Sequence, residues 1–212
     1  MAHILSPLIM GEYSAFSGIP RRILSFSNYE VKQYLAAQLV DETRHAEAFD
    51  LYLTRIKARD VYKKSWRNIH VVRYFNEMKK LQDDDQWLLG LLVTEITANV
   101  LLEAYTRQTL CPLTHQLFKR ILMDEARHIG FVTYYLRTIL KGISKSDQEF
   151  LVKISDRVLY LTKQMLHHYQ PALKVFDLEP NTLFDEIHQE IKSRVAQSIL
   201  KINERNLVRA ST

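Results

Sequence analysis

Apolar residues recur along this chain at intervals of three and four, and no stretch keeps the strict alternation of a half-buried strand. Leu35, Leu39, Ala46, Phe49 and Leu53 follow the helical period, as do Leu88, Leu91, Leu92 and Leu102. Ser6-Pro7 reads as an N-cap with proline at the first helical position. It opens a short helix from residue 7 to about Ser17, closed by Gly18-Ile19-Pro20. Ser27-Asn28-Tyr29-Glu30 fits a capping box that starts a second helix running to about Ala58. His70 to Lys80 predicts a further helix inside a crossover connection. Asp83-Asp84-Asp85 places acid at the favourable end of a helix that extends to about Thr109.

Cys111-Pro112 breaks the pattern, and another helix runs from Pro112 to just before Gly142. Ser146-Asp147-Gln148-Glu149 is a second capping box, opening a helix to about Tyr169; Pro171 interrupts, and a last helix spans Thr182 to Asn206. The expectation is an all-α chain forming one domain over residues 1–212. Its four-helix core covers 7–140, and accessory helices occupy 146–206.

Composition narrows the picture. Five glycines and five prolines in 212 residues leave too little turn chemistry for a many-stranded sheet. A single cysteine, Cys111, excludes an internal disulfide framework, a zinc ribbon and a cysteine-ligated iron–sulfur cluster, and suits a reducing, cytoplasmic setting. Met1 to Met10 lacks the features of a signal peptide, and no run of about 18 apolar residues predicts a membrane span. The net charge of +5 is spread over scattered pairs such as Arg21-Arg22 and Lys79-Lys80. That distribution predicts a solvated basic surface suited to an acidic electron-transfer partner, not a nucleic-acid stripe.

The chemistry lies in a repeat. Asp41-Glu42-Thr43-Arg44-His45 recurs as Asp124-Glu125-Ala126-Arg127-His128, with four residues identical at identical spacing. Average residue usage would produce the second copy by chance roughly once in a thousand such chains. Residues three apart share a helix face, so Glu42 with His45, and Glu125 with His128, can each reach one ion. Leu35, Leu39 and Phe49 flank the first pair; Phe118, Leu122 and Val132 flank the second. Ionised glutamates on apolar faces are costly without a cation.

Two more carboxylates complete the set. Glu95 is a charge within the apolar stripe of its helix. Glu12 lies between Leu8-Ile9 and Ala15-Phe16. Each precedes the glutamate of its repeat by 30 positions, as in a duplicated helix pair. Four carboxylates and two imidazoles suit iron or manganese better than zinc. Asp41 and Asp124 are placed to orient the histidine of the opposite helix, and Arg44 and Arg127 to balance those aspartates.

The residues Gly11-Glu12-Tyr13-Ser14-Ala15 followed by Asp41-Glu42-Thr43-Arg44-His45 resemble the ferritin-like di-iron oxygenase superfamily. They are similar in particular to the iron-binding helices of bacterial multicomponent monooxygenase hydroxylases and of small ferritin-like proteins. The resemblance implies a ferritin-like four-helix bundle with additional C-terminal helices. It assigns Glu12, Glu42 and His45 to one iron and Glu95, Glu125 and His128 to the other, with Glu42 and Glu125 bridging. It also implies a substrate pocket at Leu8, Ala15 and Phe49, and a catalytic position at Asn99, where those hydroxylases carry threonine. Position 49 is not the radical tyrosine of ribonucleotide reductase subunits. Position 121 is Ile where arylamine N-oxygenases carry an extra histidine ligand.

The expected function is activation of dioxygen to oxidise or hydroxylate a small organic substrate. Electrons would come from an external ferredoxin or reductase, since no flavin or nicotinamide motif is present. A homodimer, with no nucleic-acid or membrane partner, completes the expectation. The alternatives are a ferroxidase or metal-storage protein, and a bundle that has lost its chemistry.

Overall fold

Where each helix starts and stops is decided by burial as much as by punctuation residues. The computed structural model describes residues 2–60, 68–108 and 111–209, with side chains to residue 195. Among the described residues there are eight helices and no strand: α1 (Ala2–Ser25), α2 (Tyr29–Arg55), α3 (Ile69–Met78), α4 (Asp84–Gln108), α5 (Pro112–Ile139), α6 (Lys145–His168), α7 (Gln170–Lys174) and α8 (Pro180–Arg209). The fold is an all-α, ferritin-like helical bundle.

Helix α1 corrects the expected short element. It is 24 residues long and runs through both Pro7 and Pro20. Ser6 is not its cap but lies inside it, fully buried, its Oγ donating to the Ala2 carbonyl at 2.7 Å. Each proline removes a backbone hydrogen bond at about 3 kcal/mol. Burial of Ile4, Leu5, Leu8, Ile9 and Ile19, at about 1.5–3 kcal/mol apiece, outweighs that cost.

Two further caps shift by a residue or two. Asn28, not Ser27, caps α2 by accepting from Val31 N–H at 3.2 Å. Ser144, not Ser146, caps α6 by accepting from Asp147 N–H at 3.1 Å. Pro171 does not simply interrupt the chain; it sits in the first turn of the short α7, where its missing N–H costs nothing. Gly142 follows α5 with φ +80°, a conformation that an L side chain resists.

Helix α1 packs along α2 and α4 along α5, giving two helix hairpins related by an approximate two-fold. The crossover between them carries α3, which packs on α6, while α8 lies against α4, α5 and α6. One apolar core takes Leu5 and Ile19 from α1, Leu35 and Phe49 from α2, Leu88 and Ile96 from α4, Phe118 and Val132 from α5, and Leu159 and Ile187 from the accessory helices. Among the described residues, α4 alone is long and apolar enough to pass for a membrane span, against the expectation of none. However, 78% of its apolar window is buried inside the bundle, because it is the central helix of the core.

Candidate metal centre

Each hairpin contributes three chemically active side chains to the space between the helices. Glu12 comes from α1, Glu42 and His45 from α2, Glu95 from α4, and Glu125 and His128 from α5. All six are buried, from 1% exposure at His128 to 8% at Glu12. Glu12, Glu42, His45 and Glu125 offer ligand atoms within 4.8 Å of one another, and so do Glu42, Glu95 and His128. Glu42 belongs to both groups. Its Oε2 is 3.6 Å from His45 Nδ1 and its Oε1 is 3.4 Å from His128 Nδ1. Glu125 spans the groups in the same manner, with Oε1 3.4 Å from His45 Nδ1 and Oε2 3.8 Å from His128 Nδ1. Glu12 reaches His45 alone, at 3.8 Å, and Glu95 reaches His128 alone, at 3.4 Å.

The outer nitrogens of both imidazoles are held crosswise. His45 Nε2 lies 3.3 Å from Asp124 Oδ2, and His128 Nε2 lies 3.3 Å from Asp41 Oδ2. An ionised aspartate accepts a hydrogen bond there, which keeps the proton on Nε2 and turns the Nδ1 lone pair inward. Arg44 pairs with Asp41 on its own helix and lies 3.8 Å from Asp124. Arg127 pairs with Asp124 and lies 3.2 Å from Asp41. The two arginines are more than half exposed and close the aspartates off from solvent.

Without cations this cluster is electrostatically strained. Burial, reinforced by the neighbouring carboxylates, pushes the carboxyls of Glu12 and Glu125 well above their usual range. Burial also raises Glu42, but the nearby His45 imidazole and Glu12 carboxyl and the charge of His128 outweigh it and bring it down to about 2. Burial lowers His128, yet the carboxylates of Glu125, Glu95 and Glu42, 3.4–3.8 Å from its Nδ1, lift it to about 12. Protons are thus retained where cations would neutralise the same carboxylates. Meanwhile His45 Nδ1, His128 Nδ1 and Glu125 Oε2 are buried without a hydrogen-bond partner. Polar atoms stranded in this way, amid four carboxylates, fit two divalent cations of the iron type, which would take the place of the retained protons.

Gln38 and Tyr34 were missed by the sequence reading. Gln38, 1% exposed and one turn before Glu42, donates from Nε2 to Glu42 Oε1 and to Glu95 Oε1, both at 2.9 Å. Its spacing from Glu42 on a buried stripe was the available signal. Tyr34, one turn earlier again, lies edge-on to His128 at 6.5 Å and stacks on Phe131 at 3.5 Å. Burial and the Glu95 charge push its phenol upward. Ile121, one turn before Glu125, is 2% exposed and adds no ligand.

Leu8 and Phe49, expected to line a pocket, both lie in the bundle core. Phe49 is fully buried and packs edge-on against Phe118 at 6.5 Å. Leu8 belongs to the core and half-buried Ala15 packs against it. Asn99 donates to Glu103 at 3.0 Å and lines a cavity of about 770 Å³ between α4, α5 and α8. That cavity is walled by Ile96, Val100, Leu122 and Ile129 and edged by Glu103, Glu186, Glu190 and Arg194.

The family model for p-aminobenzoate N-oxygenase AurF matches residues 19–204. No curated protein matches the chain. The match takes in five of the six convergent side chains; Glu12 lies before it.

Proposed function

The chain belongs to the p-aminobenzoate N-oxygenase AurF family, and from that membership we propose that Glu12, Glu42, His45, Glu95, Glu125 and His128 hold two irons at which dioxygen is activated to oxidise or hydroxylate a small organic molecule. The family is one of di-iron oxygenases, so the chain is an oxidoreductase that uses dioxygen and an organic substrate. Iron is the metal this membership supports, and it does not favour the ferroxidase or storage alternative.

The observation that carries the reading is the buried set of unpartnered ligand atoms, two imidazole Nδ1 atoms and one Glu125 oxygen, within four carboxylates. Bound there, the irons would supply Lewis acidity and relay to dioxygen the electrons that its reduction needs. The chain's own residues do the rest. Asp41 and Asp124 keep each imidazole in the ligating tautomer, and Glu42 and Glu125 offer one oxygen to each metal position. The core leucines around them exclude bulk water. The organic substrate enters by the cavity beside Asn99, one turn after Glu95, whose volume suits a molecule of one or two rings. The family's name makes small arylamines the first compounds to assay. An external ferredoxin or reductase provides the electrons.

Anaerobic loading with ferrous ion should give two irons per chain, and mixing with dioxygen should oxidise them in one rapid turnover. With p-aminobenzoate and related arylamines present, mass spectrometry should detect a product heavier by oxygen. Fewer than two irons per chain, or oxidation no faster than in Glu42→Gln, would overturn the reading.

A further inference from the structure

Six ligands obey the approximate two-fold of the bundle, and so do the aspartates and arginines behind them. The buried amide that touches them, Gln38, does not. Gln38 stands one turn before Glu42; the corresponding place, one turn before Glu125, is Ile121, 2% exposed and apolar. Gln38 Nε2 donates 2.9 Å hydrogen bonds to Glu42 Oε1 and Glu95 Oε1, joining carboxylates from two different helices. The amide can face them only with its nitrogen, because its carbonyl oxygen would be repelled by both. By the same symmetry, the residue that would bridge Glu125 and Glu12 is Ile121, which has nothing to donate.

We propose that Gln38 is a positioning residue that makes the two cation positions unequal, strengthening the one formed by Glu42, Glu95 and His128. The inference rests on the two-iron reading above. Before a cation arrives, Glu42 and Glu95 repel each other, and the two N–H groups of one amide hold them together. The bond to Glu95 Oε1 leaves Oε2, 3.4 Å from His128 Nδ1, as the oxygen free to ligate. Glu95 is thereby presented as a one-oxygen ligand at a fixed place. Glu42 Oε1 keeps a second lone pair for the metal while the first accepts from Gln38. At the Glu12 position no amide performs this service, so its carboxylates must be gathered by the cation itself. The two halves of a duplicated site therefore fill at different concentrations.

Cobalt(II) titration of the metal-free full chain, followed by visible absorption and calorimetry, tests this without any turnover. The wild type should take up two cobalt ions in two resolved steps. Gln38→Met keeps length and bulk but removes both donors, and Gln38→Asn is too short to reach. In each, the step that His128→Ala abolishes should weaken by about 10-fold or more. The step that His45→Ala abolishes should move by less than about threefold. Far-UV circular dichroism of the metal-free variants checks that both fold. Equal weakening of both steps, no weakening in either variant, or two wild-type steps of equal affinity would overturn the proposal while leaving two-metal binding intact. Uptake of fewer than two cobalt ions by the wild type would overturn the two-iron reading, and this proposal with it.

Discussion

Replacing Glu125 with glutamine should stabilise the metal-free protein at neutral pH and destabilise the metal-loaded one. Glu125 is 2% exposed, and burial followed by the Glu95 charge raises its carboxyl well above the ordinary 4.5. Above pH 4.5 the unfolded chain releases that proton while the folded chain keeps it, so folding stability falls as pH rises, by about 1.4 kcal/mol per unit. Between pH 4.5 and pH 7 the loss is at most about 3 kcal/mol. Glutamine has the same shape and does not titrate, so the variant escapes this loss. It weakens the contact with His128 Nδ1, 3.8 Å away, by about 1 kcal/mol. The net expectation is a gain at pH 7 of no more than about 2 kcal/mol, each kcal/mol being worth roughly 2–4 °C in Tm for a chain this long. Near pH 4.5 the sign reverses. Urea unfolding in chelator at the two pH values measures both numbers, and added ferrous ion should make the wild type the more stable again. A variant less stable than the wild type at pH 7, or a difference that ignores pH, would refute the account of the cluster as a set of carboxylates awaiting cations.

Asp124→Asn should loosen His45, whose Nε2 lies 3.3 Å from that carboxylate, and cut metal affinity about 10–100-fold in chelator competition; a change under about threefold would refute the role. Phe49→Ala should cost about 3–5 kcal/mol in urea unfolding, since the ring is fully buried against Phe118, while two irons still bind. Loss of substrate binding without loss of stability would instead make Phe49 a pocket residue. Burial of Tyr74, partly offset by its bond to Thr94, lifts its phenol from 10 to about 12. Folding stability should therefore fall as pH rises from 10 to 12, by about 2–3 kcal/mol from this group. Tyr74→Phe should show a correspondingly shallower alkaline loss in denaturant titrations over that window.

The crosswise aspartate–histidine bonds couple the hairpins as well as the site. Each imidazole is carried by one helix and held by an aspartate of the other, so α2 and α5 cannot slide past each other without breaking both bonds. A binding site built in this way is also a register device for the bundle, and metal removal should loosen the α2–α5 interface before it loosens α1 against α2.

Much of this protein was readable one residue at a time. Helical periodicity is a local property, and so is the spacing that puts Glu42 with His45 and Glu125 with His128 on one face each. The repeat itself announced the chemistry, because two copies of a charged pentad on apolar faces have few uses other than holding cations. The 30-residue offset even located Glu12 and Glu95. What tertiary structure decided was whatever depends on competition between distant groups. Burial of Ile4, Leu5 and Ile19 against the core carries α1 through two prolines that local rules treat as a start and a stop. The shift of the caps to Asn28 and Ser144 depends on where the chain turns, not on which residue types are available. Gln38 became significant only when α4 brought Glu95 to within a hydrogen bond of its amide, 57 residues away along the chain. Pattern along a chain reports which face a residue occupies; only the packed bundle decides which other face it meets, since that depends on the sum of contacts across all the helices at once.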